Sequence, residues 1–232
     1  HKEYRRQRQM CIRDRPQPGS GKDRFSRCMF HVKHLNLVSH YPENQDQLVN
    51  YATWLETEGL TRGLIGPREV DRIWDRHISN CAVVSEVIPD GASVIDIGSG
   101  AGLPGIVLAI VRPNSPITLI EPLLRRSEFL SEIVADLGLS NVTVVRARAE
   151  QVQNLKADVV TARAVAPLFK LIGWAMPLVA KTGELLAMKG SNAQAEIVEA
   201  KAQLIGKSVE IVQAGVGIVD PPTTLVRIKN LP

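Results

Sequence analysis

Apolar and polar positions along the chain follow two regimes. From Asn44 to about Ile88 apolar residues recur at helical spacing, and from Val94 onward short apolar runs alternate with amphipathic stretches. In the first regime, Leu48, Tyr51, Ala52 and Leu55 predict a helix over 44–58, ended by Gly59. Thr61–Gly66 reads as a loop, and Pro67 opens a longer helix to about Ile88. Its apolar stripe is Val70, Ile73, Trp74, His77, Ile78, Cys81, Val84 and Ile88. His77 on that stripe reads as a hydrogen-bonded core histidine rather than a catalytic one. Arg68, Arg72 and Arg76 stand at i, i+4 and i+8 on another face. That ridge is either a solvated face with Asp71 and Asp75 as partners or a phosphate contact, since arginine grips phosphate with a planar fork.

The second regime predicts strands at Val94–Ile97, Ile117–Glu121, Asn141–Val145, Ala157–Thr161 and Gly183–Lys189. Helices are predicted over Leu103–Val111, Leu123–Leu137 (closed by Gly138), Pro167–Ala180 and Asn192–Ile205. Val209–Gln213 and Thr224–Lys229 follow without an intervening helix, so they should pair as an antiparallel hairpin at the sheet edge, with Pro221 and Pro222 in its loop. Alternating β and α implies an α/β doubly wound sheet, preceded here by N-terminal helices. A closing hairpin after five parallel strands separates the methyltransferase arrangement from the dinucleotide Rossmann fold. There is no internal repeat.

The chain is organised around Val94-Ile95-Asp96-Ile97-Gly98-Ser99-Gly100-Ala101-Gly102-Leu103-Pro104-Gly105, a buried strand, a glycine turn and a helix start. Glycines at alternate positions let the backbone turn sharply and approach a ligand. Two ligands fit. Gly100–Gly105 satisfies GxGxxG, with Glu121 about twenty residues on, which suits a dinucleotide. The alternative is S-adenosylmethionine, which carries a sulfonium and no phosphate. Asp96 favours the second, because a carboxylate there repels a pyrophosphate and suits an ammonium group. The plainest reading leaves the glycines making only a tight turn.

Composition narrows the class. The 232 residues suffice for one sizeable core, and 44% hydrophobic with 22% charged residues is ordinary for a globular protein. No apolar run reaches the ~20 residues needed to span a bilayer, and no secretory signal is apparent. The three cysteines, Cys11, Cys28 and Cys81, show no metal spacing, and no metal is expected. A reduced, cytoplasmic protein that does not associate with membranes is expected, as a monomer. The net charge of +4 is misleading as a guide to partners: residues 1–34 carry +7 and residues 35–232 carry −3. Domains are therefore expected as a disordered basic tail over 1–34 and a single domain over 35–232 with a helical cap at 44–88. Met29 is a candidate start, with the residues before it upstream read-through or a sequencing artefact. Phe30-His31-Val32-Lys33 can be encoded by the palindrome TTTCACGTGAAA, so the expected constraint there is one on the DNA, which the nucleotide sequence would test. His31 and His34, without further ligands, do not make a metal site.

Ligands in such sheets bind beyond the carboxyl ends of the strands. Standing there are Asp96 to Gly102, Glu121, Ala149-Glu150, Arg163 and Lys189. Glu121 suits two ribose hydroxyls, as a carboxylate accepts two hydrogen bonds, or is a surface acid. Ala149 and Glu150 would flank the adenine. Arg163 and Lys189 end the fourth and fifth strands, and suggest an anionic or acceptor-rich second substrate, or else ion pairs with the same acids.

The glycine stretch resembles the signature of the small-subunit ribosomal RNA guanine-N7 methyltransferases, long called glucose-inhibited division protein B. Trp74-Asp75-Arg76-His77, Arg148-Ala149-Glu150, Ala162-Arg163-Ala164 and Met188-Lys189-Gly190 support the likeness, which runs from about residue 45 to the end. Glu121-Pro122-Leu123-Leu124-Arg125-Arg126 is similar to actinobacterial members. The resemblance implies a class I S-adenosylmethionine-dependent (Rossmann-like) fold and methylation of guanine N7 in 16S rRNA, with rRNA or the small ribosomal subunit as partner. It places the cofactor on Gly98, Leu103, Ala149, Glu150 and Arg163. With the residues read above, the expected cofactor set is Asp96, Gly98, Gly100, Gly102, Leu103, Glu121, Ala149, Glu150 and Arg163, and the expected catalytic pair is Arg163 and Lys189. The alternatives are a methyltransferase of another substrate and a module that only senses S-adenosylmethionine. A Rossmann oxidoreductase is disfavoured by Asp96 and the hairpin.

Overall fold

A computed structural model of the protein describes Leu37 and residues 40–231. The expectations for residues 1–34, including the basic tail, Met29, His31 and His34, lie outside the described residues. A 3-10 turn at Pro42–Asn44 leads into α1 (Gln45–Trp54), with Leu48, Tyr51, Ala52 and Leu55 buried as the spacing predicts. Gly59 does not end this helix. The chain continues through a π turn at Leu55–Gly59 to Thr61, and leaves the helix at Gly63, φ +66°. Gly59 is buried instead, where a Cβ would lie 3.4 Å from both Ile65 Cγ1 and the Trp54 carbonyl.

The second segment is helical from Pro67 to Val87, but its winding changes along its length. It is 3-10 over Pro67–Arg72, π over Ile73–Ile78, α-helical over Ser79–Ala82 (α2) and 3-10 over Val83–Val87. The predicted arginine ridge is thereby broken. A 3-10 turn advances about 120° per residue, so Arg68 and Arg72 do not stack as they would on an α-helix. Arg76 pairs with Glu69, Nη1 to Oε1 3.1 Å.

Seven strands then form one sheet with α-helices between them. In chain order they are β1 (Val94–Ile97), α3 (Gly105–Val111), β2 (Ile117–Ile120), α4 (Leu124–Leu137) and β3 (Val142–Val145). There follow β4 (Ala157–Arg163), α5 (Leu168–Ala175), β5 (Val179–Met188), α6 (Ala193–Glu199), β6 (Lys207–Ala214) and β7 (Thr223–Asn230). The sheet order is β3-β2-β1-β4-β5-β7-β6. The first five strands are parallel, and β7 runs antiparallel between β5 and β6, so the closing hairpin forms as expected. Three boundaries move by more than two residues. α5 ends at Ala175 and not at Ala180, with a 3-10 turn over Met176–Leu178 before the strand. β5 begins at Val179, paired with Ala157, and passes a register shift before Gly183, where a Cβ would lie 2.5 Å from the Asp158 carbonyl. α6 stops at Glu199, because the apolar Ile205 faces solvent and does not extend the buried stripe.

Alternation along the strands divides the core into two layers. Val94, Val159, Ile117 and Leu119 pack with Tyr51, Ile73, Ile106 and Phe129. Ile95, Ile97, Val160 and Ala162 pack with Leu168, Leu171 and Leu185 on the other face. The same parity puts Asp96 and Arg163 on the face covered by the N-terminal helices. That one consequence of a period of two shapes the site.

Candidate active site

The turn after β1 is built as the glycines demand. Gly98, Gly100 and Gly102 have φ of +65°, +57° and +100°, a region that L side chains avoid. The loop is clamped from both sides. A Cβ on Gly98 would lie 2.8 Å from Val165 Cγ2, in the β4–α5 loop, and one on Gly102 would lie 2.5 Å from Ile106 Cγ1. The fully buried Tyr51 donates its hydroxyl to the Ala101 carbonyl at 2.9 Å. Over Gly100 a Cβ would meet only the Gly98 carbonyl, at 3.7 Å. Leu103 is partly buried beside the loop.

Two acids hold the loop from beneath. Glu121, 1% exposed, accepts from Gly100 N–H with Oε2 and from Leu123 N–H with Oε1, both at 3.0 Å. Each oxygen retains a second lone pair. Asp96 is fully buried and accepts from Gly105 N–H with Oδ2 at 3.1 Å, while its Oδ1 has no hydrogen-bond partner among the described residues. Burial raises its carboxyl to about 7, against the lowering influence of the nearby Ser99 hydroxyl, which donates to the Asp96 main-chain carbonyl at 3.0 Å, and of the Gly105 N–H. Ala149 is buried at the start of a 3-10 turn after β3, whereas the exposed Glu150 turns toward Arg148, 3.8 Å away.

The two predicted cations take partners that sequence reasoning did not foresee. Arg163 reaches back to one stretch of the second helical segment. Its Nη2 lies 2.6 Å from His77 Nδ1 and 3.4 Å from the Arg76 carbonyl, and its Nη1 lies 3.3 Å from Cys81 Sγ. Lys189 Nζ pairs with Glu196 Oε2 at 2.9 Å and donates to the Ala166 carbonyl at 2.6 Å. Glu196 also accepts from Leu168 N–H at 2.7 Å. Lys189 is thus an ion-pair residue, and its acid lies on α6, outside the expected cofactor set. It ties α6 to the loop after β4, in which Ala164 stands at φ +54°. A non-glycine residue held there costs roughly 1–3 kcal/mol that its surroundings must offset.

His77 is buried and hydrogen-bonded as its place on the stripe implies, but it faces the site. A guanidinium can only donate, so Nδ1 accepts from Arg163 and Nε2 carries the proton. Nε2 lies 2.9 Å from Glu69 Oε2, at a poor hydrogen-bond angle, and neither atom has a hydrogen-bond partner among the described residues. Burial, followed by the Arg163 charge, lowers the imidazole to about 4, against the opposing pull of Glu69. Burial also raises the Cys81 thiol, and raises the Tyr51 hydroxyl well above its usual range. Sequence reasoning missed Glu69 and Cys81. The only hint was the i, i+4 spacing of His77 and Cys81, which also fits a plain core stripe.

Beyond the ends of β4 and β5 a cleft of about 940 Å³ opens, lined by Arg76, Asn80, Arg163, Lys189, Glu199 and Thr223 among others. The glycine loop and the cleft meet along the β4–α5 loop, since Val165 both packs on Gly98 and lines the cleft.

Residues 44–217 match the family described as GidB, rRNA small subunit methyltransferase G. The chain belongs to the GidB family. Proteins named ribosomal RNA small subunit methyltransferase G are similar over most of their length. That of Thermobifida fusca is 59% identical over 182 residues, 77% of each chain, and that of Streptomyces coelicolor 54% identical over 186 residues, 78% of each. Among solved structures, the fold is similar to that of a Methanococcus maripaludis protein assigned as an S-adenosyl-L-methionine-dependent methyltransferase. The TM-score is 0.54 at 15% identity, over 71% of this chain and 92% of that one. It is also similar to a mutant of MtNAS, with a TM-score of 0.55 at 18% identity, over 88% and 77%. The fold of this GidB member is thus the Rossmann-like class I methyltransferase fold anticipated from its β/α alternation and closing hairpin.

Proposed function

We propose that this protein transfers a methyl group from S-adenosylmethionine to N7 of a guanine in 16S rRNA. The observation that carries the reading is the junction of a glycine loop, held by Glu121 and Asp96, with a cleft of about 940 Å³ beside it, in a chain of the GidB family. The residues fit the cofactor. The orphaned, buried Oδ1 of Asp96 suits an ammonium group, Glu121 keeps lone pairs for hydroxyls, and the bare Gly100 leaves room above the loop. Gly98, Gly102 and Leu103 shape that cradle, and Ala149 and Glu150 flank the end of β3 where the adenine would lie. When bound, S-adenosylmethionine supplies an electrophilic methyl on a sulfonium, whose positive charge passes to the base as the methyl moves.

Guanine N7 has an in-plane lone pair and no proton, so the chain need supply no general base. Its residues act by orientation and by charge. A cation against a base that is becoming positive opposes the reaction. Arg163 therefore suits an anion, a phosphate or a carboxylate, better than guanine O6. The buried acids Asp96 and Glu121 lie against the glycine loop, at the cofactor end, and serve to hold the cofactor. Lys189, neutralised by Glu196, serves as the brace of the cleft wall. The target base must be unstacked, because an A-form major groove hides N7.

The test is methyl transfer from labelled S-adenosylmethionine to small ribosomal subunits from a strain lacking the gene. The expected product is 7-methylguanosine in 16S rRNA. Label in protein or in a small molecule would point to another methyltransferase, and binding without turnover to a sensing module; either overturns the reading.

A further inference from the structure

Among the described residues three partners hold the Arg163 guanidinium, and all come from six residues of one helical segment, Arg76 to Cys81. They are the Arg76 carbonyl, His77 Nδ1 and Cys81 Sγ. The segment is wound for this. The π turn over Ile73–Ile78 departs from the α-helical hydrogen-bonding pattern, and the Arg76 carbonyl accepts side-chain donors, Asn80 Nδ2 at 3.2 Å and Arg163 Nη2. Behind His77 stands Glu69, whose two oxygens face His77 Nε2 at 2.9 Å and Arg76 Nη1 at 3.1 Å. The chain of contacts therefore runs Glu69, His77, Arg163, from a buried histidine to the wall of the cleft.

We infer that His77 is a positioning residue for the acceptor side, fixing through Nδ1 the guanidinium of Arg163 at the wall of the cleft that takes the acceptor nucleotide. The inference rests on the function proposed above. A guanidinium has five N–H donors, and the named contacts leave some of them for an anionic group in the cleft. A long arginine left loose at the lip would lose its rotamer freedom on binding substrate; one already fixed does not. A leucine at 77 would fill the stripe as well as the imidazole does. What histidine supplies and leucine does not is an acceptor aimed at Arg163.

Two substitutions separate that acceptor from mere bulk. His77→Asn places an amide oxygen near the Nδ1 position, and His77→Leu keeps volume without an acceptor. His77→Phe, which keeps a ring without a nitrogen acceptor, stands in for His77→Leu should the latter fail to fold. The readouts are the KM for small subunits, the Kd for S-adenosylmethionine by calorimetry, and the guanidinium N–H resonances of Arg163, assigned by their loss in Arg163→Lys. For His77→Leu and His77→Phe the expected result is a KM about tenfold higher or more, a cofactor Kd within about twofold, and Arg163 resonances lost to exchange. For His77→Asn it is a KM within about threefold of wild type with the resonances retained. His77→Asn as impaired as His77→Leu at equal Tm, either acceptor-free variant matching wild type, or a cofactor Kd that rises in step with the KM and so returns Arg163 to the cofactor, overturns the inference. Wild-type protein that labels no small-subunit RNA would instead overturn the function proposed above, and the Arg163 resonances then decide the positioning on their own.

Discussion

The buried carboxyl of Asp96 makes cofactor binding depend on pH in a window where few other groups titrate. Burial lifts it to about 7, with Oδ2 committed to Gly105 and Oδ1 unpartnered. If Oδ1 meets the cofactor ammonium, binding favours the ionised carboxylate, and protonation must be reversed before the ligand is held. Between pH 7 and pH 5 the fraction ionised falls from about a half to about a hundredth, so the Kd for S-adenosylmethionine should weaken by about fifty-fold. An α-amino group with an ordinary value near 7.7–8 stays largely protonated throughout. His77, lowered to about 4, stays neutral. Calorimetry at pH 5, 6 and 7 measures the slope, with circular dichroism at each pH to show that the protein remains folded. Asp96→Asn should bind more weakly at pH 7 and give a flat profile. A flat wild-type profile, or an undiminished slope in Asp96→Asn, would refute the reasoning.

The same shifts make a stability prediction. The raised carboxyl of Asp96 contributes stability that is present below about 3.8 and lost as pH rises to about 7. The depressed imidazole of His77 contributes stability that is present above 6.5 and lost as pH falls toward 4. The two oppose each other across pH 4 to 6.5, so Asp96→Asn should make unfolding stability rise with pH there more steeply than in wild type, and an unchanged slope in urea titrations counts against the Asp96 shift. Gly98→Val forces a side chain into φ +65° and against Val165, and should cost about 1–3 kcal/mol of stability and abolish cofactor binding; retained binding would show that the loop can relax. Lys189→Met leaves Glu196 without its cation and should destabilise by about 2 kcal/mol. Adding Glu196→Gln should recover part of that loss, and no recovery would separate the pair. Arg163→Lys keeps the charge but cannot bridge His77, Cys81 and the Arg76 carbonyl at once, so kcat/KM should fall by the equivalent of roughly 1–3 kcal/mol; near-wild-type methyl transfer would remove Arg163 from the site.

Local physics made much of this protein legible from its residues. A four-residue apolar run with one acid, closed by glycines, can only be a covered strand entering a tight turn, and β1 has the predicted bounds. Gly138, at φ +64°, ends α4 where a left-handed residue is needed, and the two strands without a helix between them pair as a hairpin. These features depend on neighbours a few positions away. What depends on distant neighbours was not legible. The period of two put Asp96 and Arg163 on one face of the sheet, but only packing put the second helical segment over that face and brought His77 to an arginine 86 positions along the chain. The ideal helix assumed for that segment hid its 3-10 and π turns, which broke the arginine ridge and turned the Arg76 carbonyl toward Arg163. Lys189 reads as a free cation at a strand end until Glu196 arrives from α6. A charge has no sequence signature for its partner, because Coulomb attraction acts through space and the fold alone decides which opposite charge comes within 3 Å.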